Sequence, residues 1–102
     1  MLTHASIFLM QTALLDKDAV RADNCGLMEW PKEIFSKQHS LRELILSRNH
    51  LIDIPTNILQ LGALRVLRLD RNMICSVPAS IGKLTALVTL DLACNQVGGW
   101  TL

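Results

Sequence analysis

The chain has 102 residues, half of them apolar, with 4% aromatic residues, no Tyr and a net charge of +1. That length suits one small domain, while the balanced charge and scarce aromatic rings exclude a field that steers polyanions and a stacking platform for nucleic acid. Three cysteines cannot all pair with one another, so a disulfide framework is not expected and a reducing, cytoplasmic compartment is.

Residues 1–16 are predicted to form a capping helix. Ile7, Met10 and Leu14 fall at helical spacing with Phe8 and Leu15 alongside, and Thr3 or Ser6 stands where a helix start is capped. A secretory leader is the competing reading. It lacks a Lys or Arg before the apolar part and a clear small-residue cleavage site, and the apolar stretch is too short to span a bilayer.

Residues 17–40 place Val20, Ala22, Cys25 and Leu27 ahead of Trp30-Pro31-Lys32-Glu33-Ile34. The meaning of that spacing comes from the segments that follow. Leu41-Arg42-Glu43-Leu44-Ile45-Leu46-Ser47-Arg48-Asn49 recurs after 23 residues as Leu64-Arg65-Val66-Leu67-Arg68-Leu69-Asp70-Arg71-Asn72, and again as Leu87-Val88-Thr89-Leu90-Asp91-Leu92-Ala93-Cys94-Asn95. Side chains alternate faces along a strand, so the leucines of each stretch turn inward and the residues between them outward. Asn49, Asn72 and Asn95 follow the strand where the chain turns away. An amide side chain there offers two donors and an acceptor to backbone groups that burial would leave unpaired. The second half of each unit reads Ile54-Pro55-Thr56-Asn57-Ile58-Leu59-Gln60-Leu61 and Val77-Pro78-Ala79-Ser80-Ile81-Gly82-Lys83-Leu84. Proline presets the backbone for a first helical turn, which predicts a short helical or 3₁₀ turn burying Ile58 with Leu61 and Ile81 with Leu84.

This pattern resembles the leucine-rich repeat, whose unit of roughly 20 to 29 residues carries L-x-x-L-x-L-x-x-N/C-x-L. The resemblance implies an α/β solenoid, a right-handed coil with a short parallel sheet on the concave side and short helical or 3₁₀ turns on the convex side. The I-P-x-x-I-x-x-L half is similar to that of intracellular members of the Ras-suppressor and Scribble type, which implies scaffold or signalling-adaptor roles. Residues 17–40 then align as a degenerate first unit, with Cys25 in the place of Asn49 and Pro31 in the place of Pro55. Repeats 41–63 and 64–86 and a partial unit 87–102 follow. Pro31 precedes Pro55 by 24 positions, so a small bulge is expected near Lys37 to Ser40. The last unit stops at Val97-Gly98-Gly99-Trp100-Thr101-Leu102, with Trp100 in the slot of Ile54 and Val77. The readings are a fragment of a longer repeat protein, a minimal cap made by Trp100 and Leu102, or an edge that meets another chain.

No catalytic, cofactor-binding or metal-binding set emerges, so the chain is not expected to be an enzyme. It has no Gly-rich phosphate loop and no G-x-S-x-G elbow, no C-x-x-C pair, and His4, His39 and His50 are scattered. Cys25, Cys75 and Cys94 read as buried or half-buried thiols acting as small hydrophobes. Asp70 and Asp91 read as solvated charges on strand positions open to water.

Function is expected on the outward face of the strands, against a protein partner rather than nucleic acid, with no membrane span. One column reads Arg21, Ile45, Arg68 and Asp91, flanked by Asp23, Ser47, Asp70 and Ala93; another reads Asn24, Arg48, Arg71 and Cys94, and Arg42 and Arg65 stack at the strand entrance. Adjacent strands lie about 4.8 Å apart, which sets like charges side by side unless Glu43, Asp70 and Asp91 offset them. Two readings stand: a mixed, solvated face of Arg and Asp pairs, or a binding patch of Arg42, Arg48, Arg65, Arg68 and Arg71 around exposed Ile45 and Val66, with Asp70 and Asp91, suited to an acidic segment. In the second, Arg48 and Arg71 are the expected anchors, reversible to Glu without harm to the fold. The corresponding functions are an interaction module acting as an intracellular scaffold, monomeric or part of a longer repeat protein, or the substrate-recognition part of a larger enzyme or receptor. A pathogen-sensing or effector-type repeat ranks below both.

Overall fold

Leucines at constant spacing build one wall of parallel strands. The computed structural model describes residues 18–96 and, as backbone, 99–101. The capping helix expected over 1–16 lies outside the described residues. Strands β1 (Ala19–Arg21), β2 (Glu43–Ile45), β3 (Val66–Arg68) and β5 (Thr89–Asp91) form a parallel sheet in the order β1-β2-β3-β5. The register follows the repeat: Val20 pairs with Leu44, Leu44 with Leu67 and Leu67 with Leu90. Each parallel neighbour requires a crossover, and here the crossovers are short 3₁₀ turns at Lys32–Lys37, Thr56–Gln60 and Ala79–Lys83. Pro31, Pro55 and Pro78 precede them in extended conformation, as their fixed φ allows.

The first of these turns has six residues and the other two have five. The extra residue between Pro31 and Pro55 is therefore absorbed in a longer turn, closed where the amides of Ser40 and Leu41 donate to the Lys37 carbonyl at 3.0 and 2.8 Å. A second, smaller sheet pairs β4 (Ser76–Pro78) with β6 (Gly99–Thr101), in which the backbone of Trp100 lies in register with Val77. The β6 backbone thus continues the coil in parallel with its predecessor.

The core lies between the sheet and the 3₁₀ turns. Leu41, Leu44, Leu46, Ile58, Leu61, Leu64, Leu67 and Leu69 are all inaccessible. The corresponding Leu87, Leu90 and Leu92 are half-buried against that core. Interior apolar area is what drives such a stack together, at about 25 cal/mol per Å² removed from water, and the β5 side of the wall receives less of it.

Asparagines close the turns after the strands, each reaching back one rung. Oδ1 of Asn49 accepts from the amides of Cys25 and Leu27, both at 3.0 Å, while its Nδ2 donates to the carbonyls of Ala22, Leu46 and Ser47. Asn72 repeats this with the Leu51 amide and the Leu46, Leu69 and Asp70 carbonyls. Asn95 does so with the Ile74 amide and the Leu69, Leu92 and Ala93 carbonyls. Cys25 holds the ladder position of the first unit, almost wholly buried, and burial raises its thiol pKa, helped by the charge of Asp23.

Candidate functional site

The outward face of the sheet is a grid, with columns running across β1, β2, β3 and β5. Arg21, Ile45, Arg68 and Asp91 occupy one column in register. Ion pairs tie it to the neighbouring columns and along its own length. Arg21 grips Glu43 of the next strand with two hydrogen bonds, at 3.1 and 3.3 Å. Arg68 reaches Asp91 at 3.5 Å and Asp70 at 3.9 Å.

The residues after the strands behave differently from the expectation. Asn24, Arg48, Arg71 and Cys94 all take the left-handed conformation, with φ between 55° and 58°. For a non-glycine residue this costs on the order of 1 kcal/mol, so the turn is imposed by its surroundings, the asparagine ladder foremost. From this corner Arg48 reaches back to bind Asp23 of the preceding unit through Nε and Nη2. Arg71 instead pairs with Asp70 of its own unit at 2.8 Å. The two guanidiniums are thereby drawn apart onto separate carboxylates, and neither is an unengaged anchor.

Asp70 departs furthest from its sequence reading. Its side chain is 3% exposed rather than open to water. Ser47 donates to its Oδ1 at 2.5 Å, and Arg71 and Arg68 approach from the solvent side. Burial alone would raise the carboxyl pKa; the Ser47 hydroxyl, the residue's own backbone amide and the two arginines outweigh it, and the net shift is downward. Asp23 is also held below the ordinary value, chiefly by its hydrogen bonds from Arg48. Asp70 is thus a buried acid committed to Ser47 and Arg71. Asp91 is half-buried and also accepts from the Ala93 amide at 3.0 Å.

Ile45 and Val66, expected to be exposed, are half-buried. Cys75 and Cys94 are exposed, against the expectation of sheltered thiols, and Cys25 is buried. Among the described residues no cluster of His, Cys, Asp or Glu is arranged to hold a metal ion. No helix among them is long and apolar enough to cross a membrane.

Arg42 and Arg65 are the two arginines of the expected patch without a side-chain hydrogen bond or ion pair among the described residues. The carboxylates expected to offset them are engaged elsewhere, Glu43 by Arg21, Asp70 by Ser47 and Arg71, and Asp91 by Arg68. Backbone hydrogen bonds of 2.7 Å join Arg65 to Arg42 and Val88 to Arg65, making the three residues consecutive rungs of one column. With Glu43 and Val66 they line an open hollow of about 280 Å³. Sequence reasoning missed Val88, although its place in the column of Arg42 and Arg65 was there to be read.

The family model for the leucine-rich repeat matches residues 24–97. The chain belongs to the leucine-rich repeat family. Among solved structures it is similar to a leucine-rich repeat protein of Leptospira interrogans, with 36% identity and a TM-score of 0.73 over 79% of this chain and 20% of that one. It is also similar to a chain of the BIR3–SERK2 complex from Arabidopsis thaliana, with 30% identity and a TM-score of 0.67 over 74% of this chain and 42% of that one. No curated protein matches it. The chain thus spans a fifth and under a half of the lengths of these neighbours. Leucine-rich repeats of this construction are protein-interaction modules, and this chain is one by its fold and family.

Proposed function

We propose that this leucine-rich repeat chain binds an acidic segment of a protein partner across the outward, concave face of β1, β2, β3 and β5, and acts as a cytoplasmic scaffold or signalling adaptor. The observation that carries the reading is the composition of that face. Half-buried Ile45 and Val66 sit among arginines, giving apolar contact beside charge, the combination found at protein-binding anchors. The contrast with the 3₁₀ side supports the same choice, since among the arginines named above all project from the sheet or from the turns after it. An odd number of cysteines, two of them exposed, suits a reducing compartment. A second reading draws on the neighbours, both much longer than this chain: the repeats select a partner on behalf of a larger receptor or enzyme.

The test compares proteins captured by the parent chain with those captured by Ile45→Glu and by Leu59→Glu, a change on the exposed part of the 3₁₀ side. Arg21 and Arg68 flank position 45 in register and supply positive charge beside a carboxylate placed there, and circular dichroism of the variant checks that it folds as the parent does. A specific partner should be lost with Ile45→Glu and kept with Leu59→Glu. The opposite pattern would move binding to the convex side and overturn the reading.

A further inference from the structure

We propose that Arg42 and Arg65 together form a carboxylate seat, which takes the side chain of an acidic residue in a protein partner while the apolar residue after it rests on Val66 and Val88. This rests on the concave-face reading above and names its anchor.

The argument begins with charge. Two guanidiniums on adjacent rungs, about 4.8 Å apart at their backbones, repel one another. Glu43, Asp70 and Asp91 are committed to another arginine or to Ser47, and Asp18, one rung before Arg42 on the side away from Arg65, meets it through its backbone carbonyl at 2.8 Å and makes no ion pair with either arginine. An anion between them relieves that repulsion, and the planar forks of two arginines match the oxygens of a carboxylate better than a pair of ammonium groups would. Glu43 lines the same hollow, but its two oxygens are turned to Arg21. That residual negative charge favours a singly charged carboxylate over a dianionic phosphoryl group.

Shape and polarity supply the rest. Val88 is 75% exposed, the most exposed of the large apolar side chains described, and it stands one rung beyond Arg65. Val66, the neighbour of Arg65 in sequence, is half-buried beside it. A partner that places an acid on the arginines therefore brings its next side chain over two valines, matching the charged and aliphatic walls of the hollow. Arg48 and Arg71, at the other end, are each closed off by an acid of this chain.

The test uses NMR titration of the ¹⁵N-labelled chain with acetyl-Glu-Leu-amide, acetyl-Gln-Leu-amide and acetyl-phosphoserine-Leu-amide. Saturable shifts are expected for the amides of Arg42, Arg65, Val66 and Val88 with the Glu peptide, and none with the Gln peptide. Arg42→Gln with Arg65→Gln should weaken binding at least about tenfold, a loss appropriate to removing both charged donors. Arg48→Gln with Arg71→Gln should leave it within about twofold, as expected for rim groups that never touch the peptide. No saturation, equal binding by the Arg42/Arg65 variant, or saturation by the phosphoserine peptide alone would overturn the proposal. Both substituted positions are exposed and, among the described residues, make no side-chain hydrogen bond or ion pair, so the variant should keep its fold, which the dispersion of its amide spectrum checks. A protein partner lost with Ile45→Glu but kept by the Arg42/Arg65 variant would sink the seat and leave the concave-face reading standing.

Discussion

The Ser47 hydroxyl donates to Oδ1 of Asp70 across one rung of the sheet, at 2.5 Å, and both side chains are shielded from water. Asp70→Ala should therefore leave the Ser47 donor and the Arg71 guanidinium without their acceptor, while Arg68 keeps Asp91. The expected cost is about 1 to 3 kcal/mol, measured by urea unfolding at neutral pH.

The same carboxylate sets an acid limit. The Asp70 and Asp23 carboxyls are held below the ordinary value of 3.8 in the folded chain. A lowered carboxyl contributes stability above its unfolded pKa and loses it as pH falls through the folded one. The unfolding midpoint should be level down to about pH 4 and then fall. In Asp70→Asn the gap from the parent should be wide at neutral pH and narrow in acid; a constant gap would show that Asp70 titrates normally.

Asn72→Leu should cost about 1 to 3 kcal/mol, because four backbone partners lose the amide that joins them. Asn95→Leu makes the same deletion at a half-buried site and should cost less. Denaturation curves of the two variants beside the parent test the ladder, and an Asn72→Leu midpoint equal to the parent's would count against it.

Leu67→Ala and Leu90→Ala separate the interior of the wall from its β5 side. Leu67 is inaccessible, and its truncation should cost about 2 to 5 kcal/mol. Leu90, its in-register neighbour, is half-buried and should cost clearly less. Hydrogen exchange at the two amides should rank in the same order.

Arg71→Glu should destabilise the fold, since it sets a carboxylate against buried Asp70. Lowering the pH to protonate both acids should close part of the deficit. Arg48→Glu should be milder, because its partner Asp23 is open to solvent and free to turn away. Thermal melts of the two single variants at pH 7 and at about pH 3, below the ordinary carboxylate range, each read against the parent at the same pH, decide between this ordering and two harmless reversals.

The leucines and asparagines were legible in the sequence because a packed repeat leaves them no choice: a slip of one residue would turn Leu44 or Leu67 to water. The arginines were not, because nothing in a period of 23 dictates which acid each one meets. Ser47 stands in the column of Asp23 and Asp70, so Arg48 has no acid at the position beside it and reaches back, while Arg71 has one there. Alternation also marks Asp70 as outward, and nothing in that period signals that Ser47, Arg68 and Arg71 cover it. Those pairings occupy Glu43, Asp70 and Asp91 and leave Arg42 and Arg65 lining the hollow.

The backward reach of the asparagines gives assembly a direction in time. The amides of Cys25 and Leu27 wait for Asn49, that of Leu51 for Asn72, and that of Ile74 for Asn95. On a ribosome each turn stays open until roughly one more unit has emerged, so the nascent chain latches behind itself, and a pause in translation within residues 64–72 would hold the Leu51 turn ajar.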